Sequence, residues 1–168
     1  MAGGCSLILV FSSCSQETHF NRVTVDGKFS VELPEYMQPW LGRTSEASLM
    51  YKNEELDVYT IVIDESKKEL KNYKLNYSLE EYFRKTGLES RLKSIEGAIF
   101  GTPVTGQLNA GKFIRTDISG NVNKFPMQYK LAVIETDKRF YQVLSWTHAD
   151  HGQDFNTDFD HMLASFSE

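Results

Sequence analysis

Residues Arg139 to Thr147 read Arg-Phe-Tyr-Gln-Val-Leu-Ser-Trp-Thr, with apolar residues on both parities. In an extended chain Phe140, Leu144 and Trp146 face one way while Tyr141 and Val143 face the other, because successive side chains alternate across a strand. A strand that is apolar on both faces needs cover on both sides, so it belongs at the centre of a sheet. Leu56 to Ile63 has the same character. Further strand candidates are Ala47 to Lys52, Lys112 to Ile118 and Pro126 to Glu135. Short links such as Ser119-Gly120-Asn121 and Thr136-Asp137-Lys138 make neighbours antiparallel, since parallel pairing needs a long crossover. Gly97, Gly101, Gly106 and Gly111 are spaced as turns between strands.

His19 to Pro34 alternates apolar and polar residues around Val25-Asp26-Gly27-Lys28, and Asp-Gly between apolar runs signals a hairpin. Ser78-Leu79-Glu80-Glu81 is a capping box opening a helix over about Leu79 to Lys93, continuous or broken at Gly87. Lys67 to Lys71 is a helical turn or a solvated loop. Phe155, Phe159, Met162, Leu163 and Phe166 fall at helical spacing, which predicts a closing amphipathic helix laid across Arg139 to Thr147. Sheet and helices together predict one α+β domain over residues 20–168. Its antiparallel sheet would be covered by helices on both faces, an α/β/α sandwich. A chain of 168 residues with 40% hydrophobic and 24% charged residues has the composition for such a core.

Residues 1–14, Met-Ala-Gly-Gly-Cys-Ser-Leu-Ile-Leu-Val-Phe-Ser-Ser-Cys, carry no charge. The run Leu7 to Phe11 is far shorter than the roughly 20 residues of a membrane-spanning helix and has the length of a signal-peptide core. Ser12-Ser13-Cys14 after it resembles the lipobox of bacterial lipoproteins. The resemblance implies removal of residues 1–13, lipidation of Cys14, and a short tether over residues 14–19. Phe11 stands where Leu is commonest, and the segment lacks the usual Lys or Arg, so the native start is expected to differ. The anchor implies a bacterial cell-envelope address, and Ser15 resembles a residue permitting transit to the outer membrane. Beyond Cys14 the body holds no cysteine, which excludes disulfides and thiolate chemistry there. A net charge of −5 without a basic tract argues against nucleic acid as partner.

The strand Phe29-Ser-Val-Glu-Leu-Pro34 is followed by Ala47-Ser-Leu-Met-Tyr51 and Tyr59-Thr-Ile-Val-Ile63. The chain closes on Phe140-Tyr-Gln-Val-Leu-Ser-Trp146 and a helix ending Met162-Leu-Ala-Ser-Phe166. In these segments the chain resembles the PsbP-like group, which includes an extrinsic photosystem II subunit, the Ran-binding Mog protein and many bacterial lipoproteins. The resemblance spans about residues 20–168 and implies fold. No binding motif of the group transfers residue by residue.

The stretch His148 to His161 is the densest in chemistry. On a helix, Asp154, Asp158 and His161 stand at i, i+4 and i+7, a face that would suit Zn²⁺ or Mn²⁺ with His148 or His151 leaning in. The same residues equally make the solvated face and acidic first turn of an amphipathic helix. Neither a Gly-x-Ser-x-Gly elbow, a phosphate-binding glycine loop nor a dinucleotide fingerprint occurs, so no catalytic residue or cofactor is expected. Of the two tryptophans, Trp146 is expected in the core and Trp40 is the freer candidate for a partner-binding surface. Two functions follow. One is a non-enzymatic, membrane-anchored module that binds an envelope protein. The other is a small-ligand or divalent-metal binder using residues 148–161.

Overall fold

The computed structural model describes residues 17–41 and 46–168. The expected signal segment 1–13 and Cys14 lie outside them. A hairpin of β1 (Phe20–Val25) and β2 (Phe29–Pro34) comes first, closed as expected at Asp26-Gly27. Both turn residues take positive φ, 49° and 64°, and the Lys28 N–H donates to the Val25 carbonyl at 2.8 Å. Then come β3 (Gln38–Pro39), β4 (Leu49–Asn53), β5 (Val58–Ser66), β6 (Glu96–Phe100) and β7 (Val104–Gln107). The long strands β8 (Lys112–Val122), β9 (Phe125–Glu135) and β10 (Arg139–His148) complete the set.

β10 pairs antiparallel with β5 on one side and β9 on the other, so the doubly apolar strand is central. The large sheet runs β3-β4-β5-β10-β9-β8-β6, with β7 also paired to β8, and every pairing is antiparallel. Three connections depart from the sequence reading. Ser119-Gly120-Asn121 lies inside β8, and the chain reverses instead at Asn123-Lys124, both at positive φ. Gly120 is needed because the start of the neighbouring β6 bulges towards it: a Cβ there would fall 2.4 Å from Ile95 Cγ2 and 3.0 Å from the Glu96 carbonyl oxygen. Gly97 and Gly106 likewise sit within β6 and β7 and not in turns.

Lys67 to Asn72 forms helix α1, capped by Ser66. The Ser78–Glu81 capping box closes both ways, at 3.2 and 2.9 Å, and opens α2 (Leu79–Tyr82). The helix passes through Gly87 unbroken as a π-helical segment, Phe83–Leu88, and ends in α3 (Glu89–Leu92). The closing helix α4 spans Asn156–Ala164.

These elements build two cores, one on each sheet face. On the first, Phe29, Val31 and Leu33 of β2 pack with Met162 and Phe166 around the α4 end, against Val62, Ile134 and Tyr141. The docking expected for the closing helix is present: Phe159, Met162 and Leu163 of α4 share this core with Tyr141 and Val143 of β10, and the ring of Phe166 just beyond the helix lies 5.0 Å from that of Tyr141. On the second face Tyr82 and Phe83 pack on Leu131, Val133, Phe140 and Leu144. The α+β antiparallel sheet therefore stands, but the layers differ from an α/β/α sandwich. A β-hairpin shares the first face with α4, because the inward side of β2 is apolar enough to act as cover. On the second face α1, α2 and α3 are too short to span the sheet, so one end is left without helical cover.

Candidate functional site

The acidic, histidine-rich stretch is not gathered into one site. Asp154 lies ahead of α4, with Oδ2 3.5 Å from His151 Nδ1. His148 lies 3.5 Å from Asp150. Asp158, expected on a solvated face, is buried and accepts hydrogen bonds from Tyr36 Oη at 2.7 Å and Thr18 Oγ1 at 3.3 Å. His161 stacks on Phe20, ring centroids 3.8 Å apart, with Nε2 2.7 Å from Glu32 Oε2. Hydrogen bonds from His161 and Arg22 hold the Glu32 carboxyl below the usual range. The reason is the hairpin with its flanking residues: Glu32, Tyr36 and Thr18 lie against α4, and the polar groups expected on a free helix face serve to dock them. Among the described residues no cluster of three or more His, Cys, Asp or Glu side chains is placed to hold a metal ion.

A different site emerges where helical cover stops. In the sheet's register Lys52, Tyr59, Trp146, Tyr129 and Ile118 stand opposite one another across β4, β5, β10, β9 and β8. Tyr59 and Trp146 are stacked, centroids 5.3 Å apart and planes 10° apart. Tyr129 follows at 6.2 Å from Trp146. Trp40, just past β3, tilts across the end of this row at 5.5 Å from Tyr59 and 6.4 Å from Trp146. Neither tryptophan is free or fully buried: both are half-buried. Trp146, expected in the core, packs against the second core but stays half-buried, with its other side on the groove.

Trp40, Tyr59, Trp146 and Tyr129 form the floor of an open groove of about 680 Å³. Val122, Phe125 and Met127 continue it at the β8–β9 turn, and Phe125 is 63% exposed. Glu54 and Asp57 flank the opposite end at the β4–β5 turn, and His148 and Asn123 complete the rim. Lys52 Nζ sits 5.3 Å from the Trp40 ring centroid and pairs with Glu54. Burial, followed by the neighbouring Asp57 carboxylate, raises the Tyr59 hydroxyl above the usual phenol range. Chemically the groove offers ring edges and one tilted indole face, a thioether, two carboxylates and an imidazole. That is a recognition surface for a partly apolar, partly cationic group. Sequence reading found Trp40 alone. Tyr59, Tyr129 and Trp146 carry no joint signal along the chain, and they become neighbours only through strand register.

No family model matches the chain, and no curated protein matches it. Solved structures do. Cyanobacterial PsbP (CyanoP) from Synechocystis sp. PCC 6803 superposes with a TM-score of 0.64 at 12% identity, covering 98% of this chain and 96% of that one. LpqN of Mycobacterium tuberculosis, described as involved in cell envelope biogenesis, gives 0.57 at 12% identity over 89% and 91%. PA94 of Pseudomonas aeruginosa, a protein of unknown function and putative regulator, gives 0.55 at 9% identity over 88% and 95%. At such identities the likeness speaks for backbone architecture alone. An antiparallel sheet centred on β10, closed by a hairpin and a C-terminal helix, matched over nearly its whole length, gives this chain a PsbP-like fold.

Proposed function

We propose that the chain is a non-catalytic accessory module of the bacterial cell envelope. A lipid on Cys14 tethers it to the membrane, the outer one by its Ser15, and the aromatic groove receives a protein partner. The observation that carries this reading is the row Trp40, Tyr59, Trp146 and Tyr129 on a sheet face that helices leave uncovered. Aromatic side chains concentrated in one concave, partly wet surface are the usual anchors of protein recognition. The fold-level likeness to a protein of envelope biogenesis supports the address. The alternative of a metal or small-ligand site within residues 148–161 has no observation in its favour, since Asp158 and His161 are engaged in docking the hairpin.

The test is in-cell photo-crosslinking from a photoreactive residue replacing Phe125 in the full chain. A discrete protein adduct that disappears when Trp146→Ala is added supports the reading; adducts insensitive to Trp146→Ala overturn the groove as partner site. The tether is tested by fractionation. Cys14→Ala should release the chain from the membrane, because the attached acyl chains supply the binding energy. Unchanged membrane attachment overturns the lipid anchor.

A further inference from the structure

We propose that the outer edge of the large sheet, β6 with β7, pairs antiparallel with the same edge of a second copy of this chain, joining two sheets into one. This surface is separate from the aromatic groove and does not depend on it.

Among the described residues β6 and β7 pair with β8 and with no other strand. They make one bulged edge: β6 lies along Ile118 to Asn121 and β7 along Lys112 to Arg115. The link Gly101-Thr102-Pro103 joins them, and the Gly101 N–H donates to the Asp117 carbonyl at 2.8 Å. Antiparallel ladders alternate, so Phe100, one residue back, turns its N–H and C=O towards the open side. Such a row of backbone groups is a template for a further strand. Pro103 lies in the link, where its missing N–H removes no ladder bond from either strand. Ile99 stands opposite Ser119 and Val104 opposite Arg115, which places both on one face of the sheet. They are 69% and 50% exposed, unusual for such residues beside an open edge.

Charge selects the occupant. From Gly97 to Gly111 the chain carries no charged residue. Edges are commonly guarded by charge, lysine above all. The opposite edge has Lys52 on β4, and the hairpin has Arg22 on β1. Behind the bare edge, Arg115 and Lys130 pair with Asp117 and Asp160, so the charges there cancel within the chain. A protein of net charge −5 repels its own copies over much of its surface, and along this edge it does not. A charged strand would find nothing here to pair with, whereas an identical edge meets no like charge. Antiparallel pairing of identical strands is itself two-fold symmetric, the commonest symmetry of self-association. With the axis normal to the sheet, Ile99 and Val104 of both copies fall on one face and cover each other.

Sedimentation velocity of the full chain over a range of concentrations tests this, together with hydrogen exchange. The weight-average mass should rise from 19.3 kDa towards twice that value. Exchange should slow in residues 96–107 as the dimer forms, while β4 at the opposite edge stays unchanged. Ile99→Lys combined with Val104→Lys should weaken dimerisation about tenfold or more, because like charges would then face each other across the axis. Both side chains are exposed, so the double variant should keep its fold, and its melting curve checks this. A chain that stays monomeric at every concentration would overturn the proposal. So would a dimer indifferent to the two lysines, since the contact would then lie elsewhere. Protection of residues 96–107 that appears in a monomer only when a foreign extended peptide is added would replace the second copy by a partner's strand.

Discussion

Tyr36 Oη donates a 2.7 Å hydrogen bond to Asp158 Oδ2, joining the segment after the β1–β2 hairpin to the first turn of α4. Asp158 is buried, and its other hydrogen bond comes from Thr18 at 3.3 Å. Tyr36→Phe removes the stronger donor from a buried carboxylate, at a typical cost of about 1–3 kcal/mol. Urea melts at neutral pH should show that loss. An unchanged midpoint would mean that the contact contributes nothing to stability.

The same contact sets an alkaline limit. Burial first, then the Asp158 hydrogen bond, raises the Tyr36 hydroxyl far above the ordinary phenol range. Burial also raises Tyr82, beside Glu65, and Tyr141, beside Glu168. A group whose pKa is raised by folding stabilises below its unfolded value and loses that contribution as pH climbs above it. Stability should therefore be level through neutral pH and fall above about pH 10, where unfolded tyrosine ionises. Tyr36→Phe should make the fall shallower. A stability curve flat to pH 12, or one whose slope ignores this substitution, would contradict the assignment.

On the closing helix, Phe159 is buried against the first face, whereas its neighbour Asp160 is half-exposed and pairs with Arg115 at 2.6 Å and Lys130 at 3.8 Å. Phe159→Ala should cost roughly 3–5 kcal/mol by leaving a cavity. Asp160→Ala should cost less than about 1 kcal/mol, the range of a surface ion pair. Thermal melts of the two variants should differ widely, and coincident curves would mean that α4 is undocked.

Gly120→Ala tests the irregular pairing of β6 with β8, whose register shifts between Glu96 and Ile99 opposite this glycine. The added methyl meets Ile95 at 2.4 Å and the Glu96 carbonyl at 3.0 Å, and the latter is backbone that cannot swing aside. Overpacking of this kind costs about 1–3 kcal/mol. Hydrogen exchange should quicken in β6 more than in β10, whereas uniform protection would show that the strand accommodates the methyl.

Calorimetry with Zn²⁺ tests residues 148–161. With His161 held by Glu32 and Phe20, and Asp158 by Tyr36, the full chain should show no saturable binding in the micromolar range. Stoichiometric heat abolished by His161→Ala would restore the metal reading.

Local signals determined a good part of this protein. Asp26-Gly27 specifies its turn because both residues tolerate positive φ, and Ser78 and Glu81 cap a helix within their own four residues. The double apolar parity of Arg139 to Thr147 places β10 at the centre whatever its neighbours are. Such features depend on backbone dihedrals and side-chain period, which the chain carries at short range. Tertiary structure decided the rest. Asp158 and His161 read as a solvated helix face until the hairpin docked on them, and a helical period cannot say what will lie against it. Tyr59, Tyr129 and Trp146 belong to three strands, and only antiparallel register sets them side by side. Whether that row is core or groove depended on where α1, α2 and α3 stop over the second face, a matter of packing between distant segments.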